Sequence, residues 1–143
     1  MRILVVSDSH MYNDILDDIT KRWKNKVDLL VHCGDSSLLP NDPLIKDYNI
    51  VVHGNHDEEV FPHYVVYEDI FVTHGNDYHV YSGYDELIEA CKENKCHICF
   101  HGHTHVPTIQ VREFDSCIHF STNQIAQNVD YINAFEFFYC QIR

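Results

Sequence analysis

Short apolar runs alternate with polar stretches along the first two thirds of the chain. Residues 3–6, 27–31, 50–52, 64–67, 70–72 and 98–100 are runs of β-branched and aromatic side chains, and each predicts a strand. Residues 11–24 carry Ile15, Leu16, Ile19 and Trp23 at helical spacing, an apolar stripe one helix face wide. Residues 84–95 repeat that pattern with Leu87, Ile88 and Cys91. Beyond residue 107 the pattern changes: 108–114, 117–120 and 134–142 read as strands with no helix between them. Strands with intervening helices, followed by a β-rich end, predict a mixed α/β domain over residues 1–143, with more than one sheet.

Five of the apolar runs finish at side chains able to hold a metal. They end at Ser7-Asp8-Ser9-His10, His32-Cys33-Gly34-Asp35, His53-Gly54-Asn55-His56-Asp57, Thr73-His74-Gly75 and His101-Gly102-His103-Thr104-His105. In open α/β sheets ligands bind outside the carboxyl ends of the strands, so residues from five such ends can meet at one site. Glycines beside them let the backbone turn sharply off each strand.

Composition narrows the chemistry. The 143-residue chain has 45% hydrophobic residues and only five Gly and four Pro, enough for a packed core and unlike a disordered segment. Ten Lys and Arg against 22 Asp and Glu give a net charge of −12, which opposes a phosphate-tracking groove and excludes a dedicated nucleic-acid module. No apolar run approaches the roughly 20 residues of a membrane span, and no targeting segment is visible. The six Cys are therefore expected to be reduced thiols in a cytoplasmic protein. Cys96-His97-Ile98-Cys99 has redox or zinc spacing, but its apolar setting favours small hydrophobes on a strand. Twelve His, more than all the Lys and Arg together, ask for a metal.

The motifs differ in information. Asp-x-His is expected about once by chance in a chain of this composition, and Asp77-Tyr78-His79 is such an accident. Gly-His-x-His is expected about 0.03 times and Gly-Asn-His-Asp about 0.003 times, so finding both in order after strands is not coincidence. The ordered blocks Asp8-Ser9-His10, Gly34-Asp35, Gly54-Asn55-His56-Asp57, His74-Gly75 and Gly102-His103-Thr104-His105 resemble the calcineurin-like metallophosphoesterase superfamily, in particular its small bacterial and archaeal phosphodiesterase branch.

That resemblance implies an α/β fold, a four-layer α/β/β/α sandwich of two mixed sheets flanked by helices. It implies two divalent metal ions, manganese first, with nickel, cobalt, iron or zinc as alternatives. Asp8, His10 and His105 would hold one ion, Asn55, His74 and His103 the other, and Asp35 would bridge them. Two ions about 3.5–4 Å apart can clamp a phosphate and activate water, so the implied reaction is P–O hydrolysis by in-line attack of a metal-bound hydroxide. His56 would contact the phosphoryl group and protonate the leaving oxygen. The implied substrate is a phosphate ester, small molecule or nucleotide, and more a diester than a monoester, because 20 positions between Asp35 and Asn55 leave no room for a large cap. A homo-oligomer is compatible with this reading, whereas stable nucleic-acid or membrane binding is not. The rival is a protein-interaction scaffold on the same fold, like the phosphoesterase-like subunit of retromer; there the third-motif His is replaced, and here His56 and all seven ligand positions are intact.

The chain also departs from the family pattern. Asn76 stands where a second His often follows the His-Gly pair, and Asn123-Gln124-Ile125-Ala126 replaces an Asn-Pro-Gly-Ser loop. Leu38 occupies the position of the aspartate that supports the catalytic His in related protein phosphatases, so His56 is expected to act alone or with a different support, Asp57 being one candidate to orient it. Among the remaining His, residues 32, 53, 97 and 119 are expected to be buried and hydrogen-bonded, His101 to back the site, and His63 and His79 to lie in loops. The run Phe135-Glu136-Phe137-Phe138-Tyr139 is expected to pack the second sheet.

Overall fold

The computed structural model describes residues 1–106 in full, and beyond them the strand backbones 108–112, 117–121 and 136–141. The order is β1 (Arg2–Ser7), α1 (Asn13–Trp23), β2 (Leu29–His32), β3 (Ile50–Val51), β4 (Tyr64–Tyr67), β5 (Ile70–Thr73), α2 (Asp85–Glu93), β6 (Ile98–His101), β7 (Thr108–Arg112), β8 (Cys117–Ser121) and β9 (Glu136–Gln141). One sheet has the order β3-β2-β1-β9 and the other β4-β5-β6-β8-β7. Strands β1, β2 and β3 run parallel, with Ile3 opposite Leu29 and Val31 opposite Ile50, and β9 closes that edge antiparallel. In the second sheet β5, β6 and β8 are parallel, flanked by antiparallel β4 and β7. Both sheets are mixed, as the resemblance implies.

Three apolar layers account for the stacking, and side-chain alternation along the strands explains them. Ile3, Val5, Leu29, Val31 and Ile50 of the first sheet face Ile70, Val72 and Phe100 of the second. Leu4, Val6 and Leu30 point the opposite way, onto Leu16 and Ile19 of α1 and onto Ile45 and Tyr48. On the far side Phe71 and Cys99 meet Leu87, Ile88 and Cys91 of α2. The sequence of layers is helix, sheet, sheet, helix. Leu16 and Leu87 are fully buried, so truncating either to Ala would cost about 2–5 kcal/mol.

Both helices are shorter than the apolar stripes predict, for backbone reasons. Helix α1 cannot start at residue 11, because Met11 is held at φ 67° in the left-handed region. Helix α2 stops at Glu93, and Lys95 at φ 59° turns the chain away. Two 3-10 turns, Asn76–Tyr78 and Val80–Ser82, fill a stretch that the sequence pattern leaves unassigned. His97 corrects an expectation: it is exposed, and its Nδ1 pairs with Asp69 at 2.6 Å. The side chain of His119, the 123–126 segment and Phe135 lie outside the described residues, while the 136–139 backbone corrects an expectation by joining β1 in the first sheet and not the second. Cys33, Cys91, Cys96 and Cys99 are buried, as small apolar fillers should be. Among the described residues no helix is long and apolar enough to cross a membrane.

Candidate metal centre

The strand ends meet. Parallel strands β1, β2 and β3 and parallel strands β5 and β6 all release their chains toward one edge of the sandwich, where the loops are stitched together through the backbone. Asp8 N–H donates to the Gly34 carbonyl at 2.9 Å and His10 N–H to the Asp35 carbonyl at 3.0 Å. Gly102 N–H donates to the His74 carbonyl at 3.0 Å, which links the two loops of the second sheet. Asp8, His10, Asp35, His103 and His105 all sit at positive φ, between 42° and 72°. Non-glycine residues adopt that conformation only where their surroundings over-determine it, and such positions gather at functional sites.

Two motif glycines are required by close approach. A Cβ on Gly54 would overlap the Asp35 carboxylate, and one on Gly102 would overlap Ser7 Oγ and Asp8 Oδ2. The Gly-Asn-His-Asp and Gly-His-x-His motifs thus begin with glycine because a carboxylate passes over each backbone.

The side chains these loops present are acceptors facing acceptors. Asp8 is fully buried; its Oδ2 accepts from Ser7 Oγ and, at 3.1 Å, from the His103 backbone N–H. Its Oδ1 is buried with no hydrogen-bond partner and faces Nε2 of His105 at 3.1 Å, of His10 at 3.7 Å and of His74 at 3.9 Å. Asp35 Oδ1 accepts the His56 backbone N–H at 2.8 Å, which leaves Oδ2 turned to His74 Nε2 at 3.2 Å and His10 Nε2 at 3.7 Å. His74 donates Nδ1–H to the Cys33 carbonyl at 2.7 Å, which fixes the tautomer and turns its Nε2 lone pair into the site. Around that nitrogen stand Asn55 Oδ1 at 3.1 Å and His103 Nδ1 at 3.2 Å.

The protonation tendencies carry the same message. Burial pushes the His74 imidazole down, but the hydrogen bond to Asp35 and the charges of Asp8 and Asp35 outweigh it and raise its pKa. Burial likewise pushes the Asp35 carboxyl up, yet His74, the His56 backbone N–H and His10 hold it down at about 2. His103 moves down, through burial and the neighbouring His74 charge.

Two residue groups here have ligand atoms within 4.8 Å of one another: Asp8 with His10 and His105, and Asp8 with Asp35 and His74. A donor-free buried carboxylate oxygen ringed by imidazole nitrogens fits a divalent cation, and mixed oxygen and imidazole donors suit manganese, iron, cobalt, nickel or zinc. Residues 1–133 match the calcineurin-like phosphoesterase superfamily domain. The chain belongs to that superfamily. It is 31% identical over 116 residues to the probable metallophosphoesterase YsnB of Bacillus subtilis, covering 78% of this chain and 68% of that one. A predicted phosphoesterase from Streptococcus pneumoniae superposes with a TM-score of 0.79 at 30% identity, over 98% of this chain and 83% of that one. Vacuolar protein sorting 29 of Cryptosporidium parvum gives 0.72 at 18% identity, over 98% and 85%, a likeness of fold. A metallophosphoesterase of this superfamily hydrolyses phosphate esters with divalent metal ions.

His56 is exposed on the same loop as Asn55, with its ring set edge-on to His10 at 5.3 Å between centroids. Asp57 does not orient it. Asp57 Oδ2 accepts the backbone N–H groups of Asp35 at 2.8 Å and Gly54 at 2.9 Å, while Oδ1 accepts that of Ser37 at 2.7 Å. The residue is a clasp between the second and third motifs. Leu38 packs against the α1 core, so no carboxylate approaches from there. His101 is fully buried behind the site, with Nδ1 on the Gly102 carbonyl at 2.9 Å, as expected of a backing residue. Tyr81 is a neighbour the sequence reading missed: its hydroxyl donates to the His103 carbonyl at 2.9 Å, and its ring lies 4.7 Å from the His103 ring. No motif marks Tyr81, since a 3-10 turn brings it there.

Proposed function

We propose that this chain is a dinuclear-metal phosphodiesterase, with Asp8, His10 and His105 holding one ion, Asn55, His74 and His103 the other, and Asp35 between them. The observation that carries the reading is the convergence of carboxylates and imidazole nitrogens, above all Asp8 Oδ1, which is buried with no hydrogen-bond partner among the described residues and faces three imidazole nitrogens. Manganese is the expected metal. Bound there, the ions would supply Lewis acidity at the phosphoryl oxygens and lower the pKa of water.

The chain's own residues do the rest. The Asp8 and Asp35 carboxylates would offset the repulsion between the cations, whose positive charge would let an anionic phosphate approach a net-negative protein. The Cys33 carbonyl holds the His74 ring in its tautomer. In this reading His56, exposed beside His10 and tied to Asp35 through its backbone N–H, gives a proton to the departing alkoxide. Asn55, His56 and His105 are exposed, so the site is open to solvent, which favours diesters and unenclosed phosphates over small buried monoesters. A small phosphate ester or nucleotide in the cytoplasm is the substrate class this reading supports.

A screen of chelator-stripped protein against manganese, zinc, nickel, cobalt and iron, with aryl phosphodiesters and monoesters, tests it. Metal-dependent hydrolysis with diesters ahead is the expected result. No hydrolysis with any metal would favour a scaffold.

A further inference from the structure

Outside the candidate centre, two of the histidines assigned no chemistry by the motifs come together. His53 leaves β3 and His63 precedes β4; their rings lie 4.5 Å apart, tilted by 36°. Glu59 reaches both from the intervening loop, with Oε1 at 3.4 Å from His53 Nε2 and Oε2 at 3.1 Å from His63 Nε2. We propose that His53, Glu59 and His63 form a separate binding site for a zinc-type divalent cation.

The second nitrogen of each ring supports the assignment. His53 directs Nδ1 at the Glu58 carbonyl, 3.2 Å away, and His63 directs Nδ1 at the Asp77 carboxylate, 2.6 Å away. A carbonyl or carboxylate can only accept, so each ring carries a proton on Nδ1 and turns Nε2 toward Glu59, where a divalent cation would take the place of any proton shared between Nε2 and the Glu59 carboxylate. Carboxylate–histidine–metal and carbonyl–histidine–metal relays are how metal-binding imidazoles are oriented. His53 is buried, at 7% exposure, so its nitrogen is delivered by the fold and not by a wandering surface chain. The three ligand atoms lie within 4.8 Å of one another, and two imidazoles with one carboxylate are a zinc donor set that leaves a fourth position for water. Asp77 and then Glu59 also draw the His63 pKa up, a field that favours a cation.

The site shares no residue with the candidate catalytic centre, but it shares loops with it. His53 and His63 bracket residues 54–62, which contain no helix or strand and carry Asn55 and His56. The ends are already drawn together by His53 N–H on the Pro62 carbonyl at 2.8 Å and Thr73 Oγ1 on the His63 carbonyl at 3.1 Å. An ion at His53, Glu59 and His63 closes this loop and steadies the catalytic histidine, making it a structural ion beside the reaction and not a participant in it.

The test is a zinc titration of the full chelator-stripped chain, by calorimetry and elemental analysis, on wild type, His63→Ala, Glu59→Gln and Asp77→Asn. His63→Ala and Glu59→Gln should each bind one zinc equivalent fewer than wild type. Asp77→Asn should keep that equivalent with about tenfold weaker affinity, as for loss of an outer partner. In an Asp35→Asn background, where the other centre is crippled, one equivalent should still titrate and should vanish on adding His63→Ala. That arm keeps the two sites' failures apart. Full wild-type stoichiometry and affinity in either His63→Ala or Glu59→Gln would overturn the proposal.

Discussion

His32 and His74 occupy matching places in the two sheets, one ending β2 and the other following β5, and both are fully buried. Their surroundings differ in one respect. His32 meets donors and hydroxyls: the Gly34 N–H donates into Nδ1 at 3.2 Å, and Nε2 meets Ser9 Oγ at 2.9 Å. Burial then dominates and pushes its pKa down to about 4. His74 meets only acceptors on its Nε2 side, and its pKa rises despite the same burial. Burial by itself therefore says nothing about function. A ring nitrogen surrounded by lone pairs calls for a cation, whereas one satisfied by hydroxyl and N–H groups belongs to the structure.

The strongest way to break the His74 side of this contrast is Asp35→Asn. The change preserves shape and removes the charge placed between the two ligand sets. Metal affinity should fall by more than about 10²-fold, beyond the 10–100-fold cost of an outer partner, and more than for any other single ligand change. Calorimetric metal titration reads this directly. Two ions bound as tightly as in wild type would remove Asp35 from the bridge. The unaltered chain should itself take up two transition ions at this centre and lose activity on chelation.

His56→Ala comes next, because it separates chemistry from metal binding. Both ions should stay, since the His56 ring is not among the converging acceptors. Hydrolysis of an alkyl phosphodiester should fall by about 10²–10⁴-fold, the usual cost of a lost general acid. With a nitrophenyl diester, whose leaving group needs no proton, the loss should be much smaller. Equal losses on the two substrates would leave His56 as a phosphate contact only.

Asp57 should behave as structure in the same assay. Three backbone N–H groups, of Asp35, Ser37 and Gly54, lose a charged acceptor in Asp57→Ala. Denaturant unfolding should report a loss of about 3 kcal/mol, given 1–3 kcal/mol for each of the part-buried Asp35 and Gly54 donors left unsatisfied, while the exposed Ser37 N–H turns to water. The leaving-group contrast should survive in whatever protein remains folded. A contrast that collapses as in His56→Ala would restore Asp57 as the support of that histidine.

These differences mark what could be read from the chain alone. The strands, the layers and the meeting of these side chains at one edge are legible because each motif is local: a strand, a glycine and a polar side chain lie within a few residues, as in Gly54-Asn55 or Gly102-His103. The roles that escaped depend on distant partners. Asp57 looks like a neighbour for His56 in sequence, yet its carboxylate reaches back 22 residues to Asp35. His97 sits beside an apolar strand, but Asp69, 28 residues away, holds it at the surface. Tyr81 reaches His103 only because two 3-10 turns fold residues 76–82 over the site. His53 and His63 carry no motif at all until the loop brings Glu59 and Asp77 to them.

The smallest effect sharpens the other side of the comparison. His32 is neutral in the folded chain down to a pH of about 4, while an unfolded His takes up its proton near 6.5. Between those values the unfolded state binds more protons than the folded one, so stability rises with pH and is lost as pH falls from 6.5 toward 4. At about 1.4 kcal/mol per unit, the His32 contribution should cost about 2 kcal/mol on going from pH 6.5 to 5. His32→Gln keeps a polar group at the end of β2 but cannot titrate, so its stability should fall less over that interval by about this amount. Paired unfolding curves at pH 7, 6 and 5 measure the difference. Parallel pH profiles for the two proteins would mean that His32 is already charged in the fold, and that acceptors and not hydroxyls surround it, which would erase its distinction from His74.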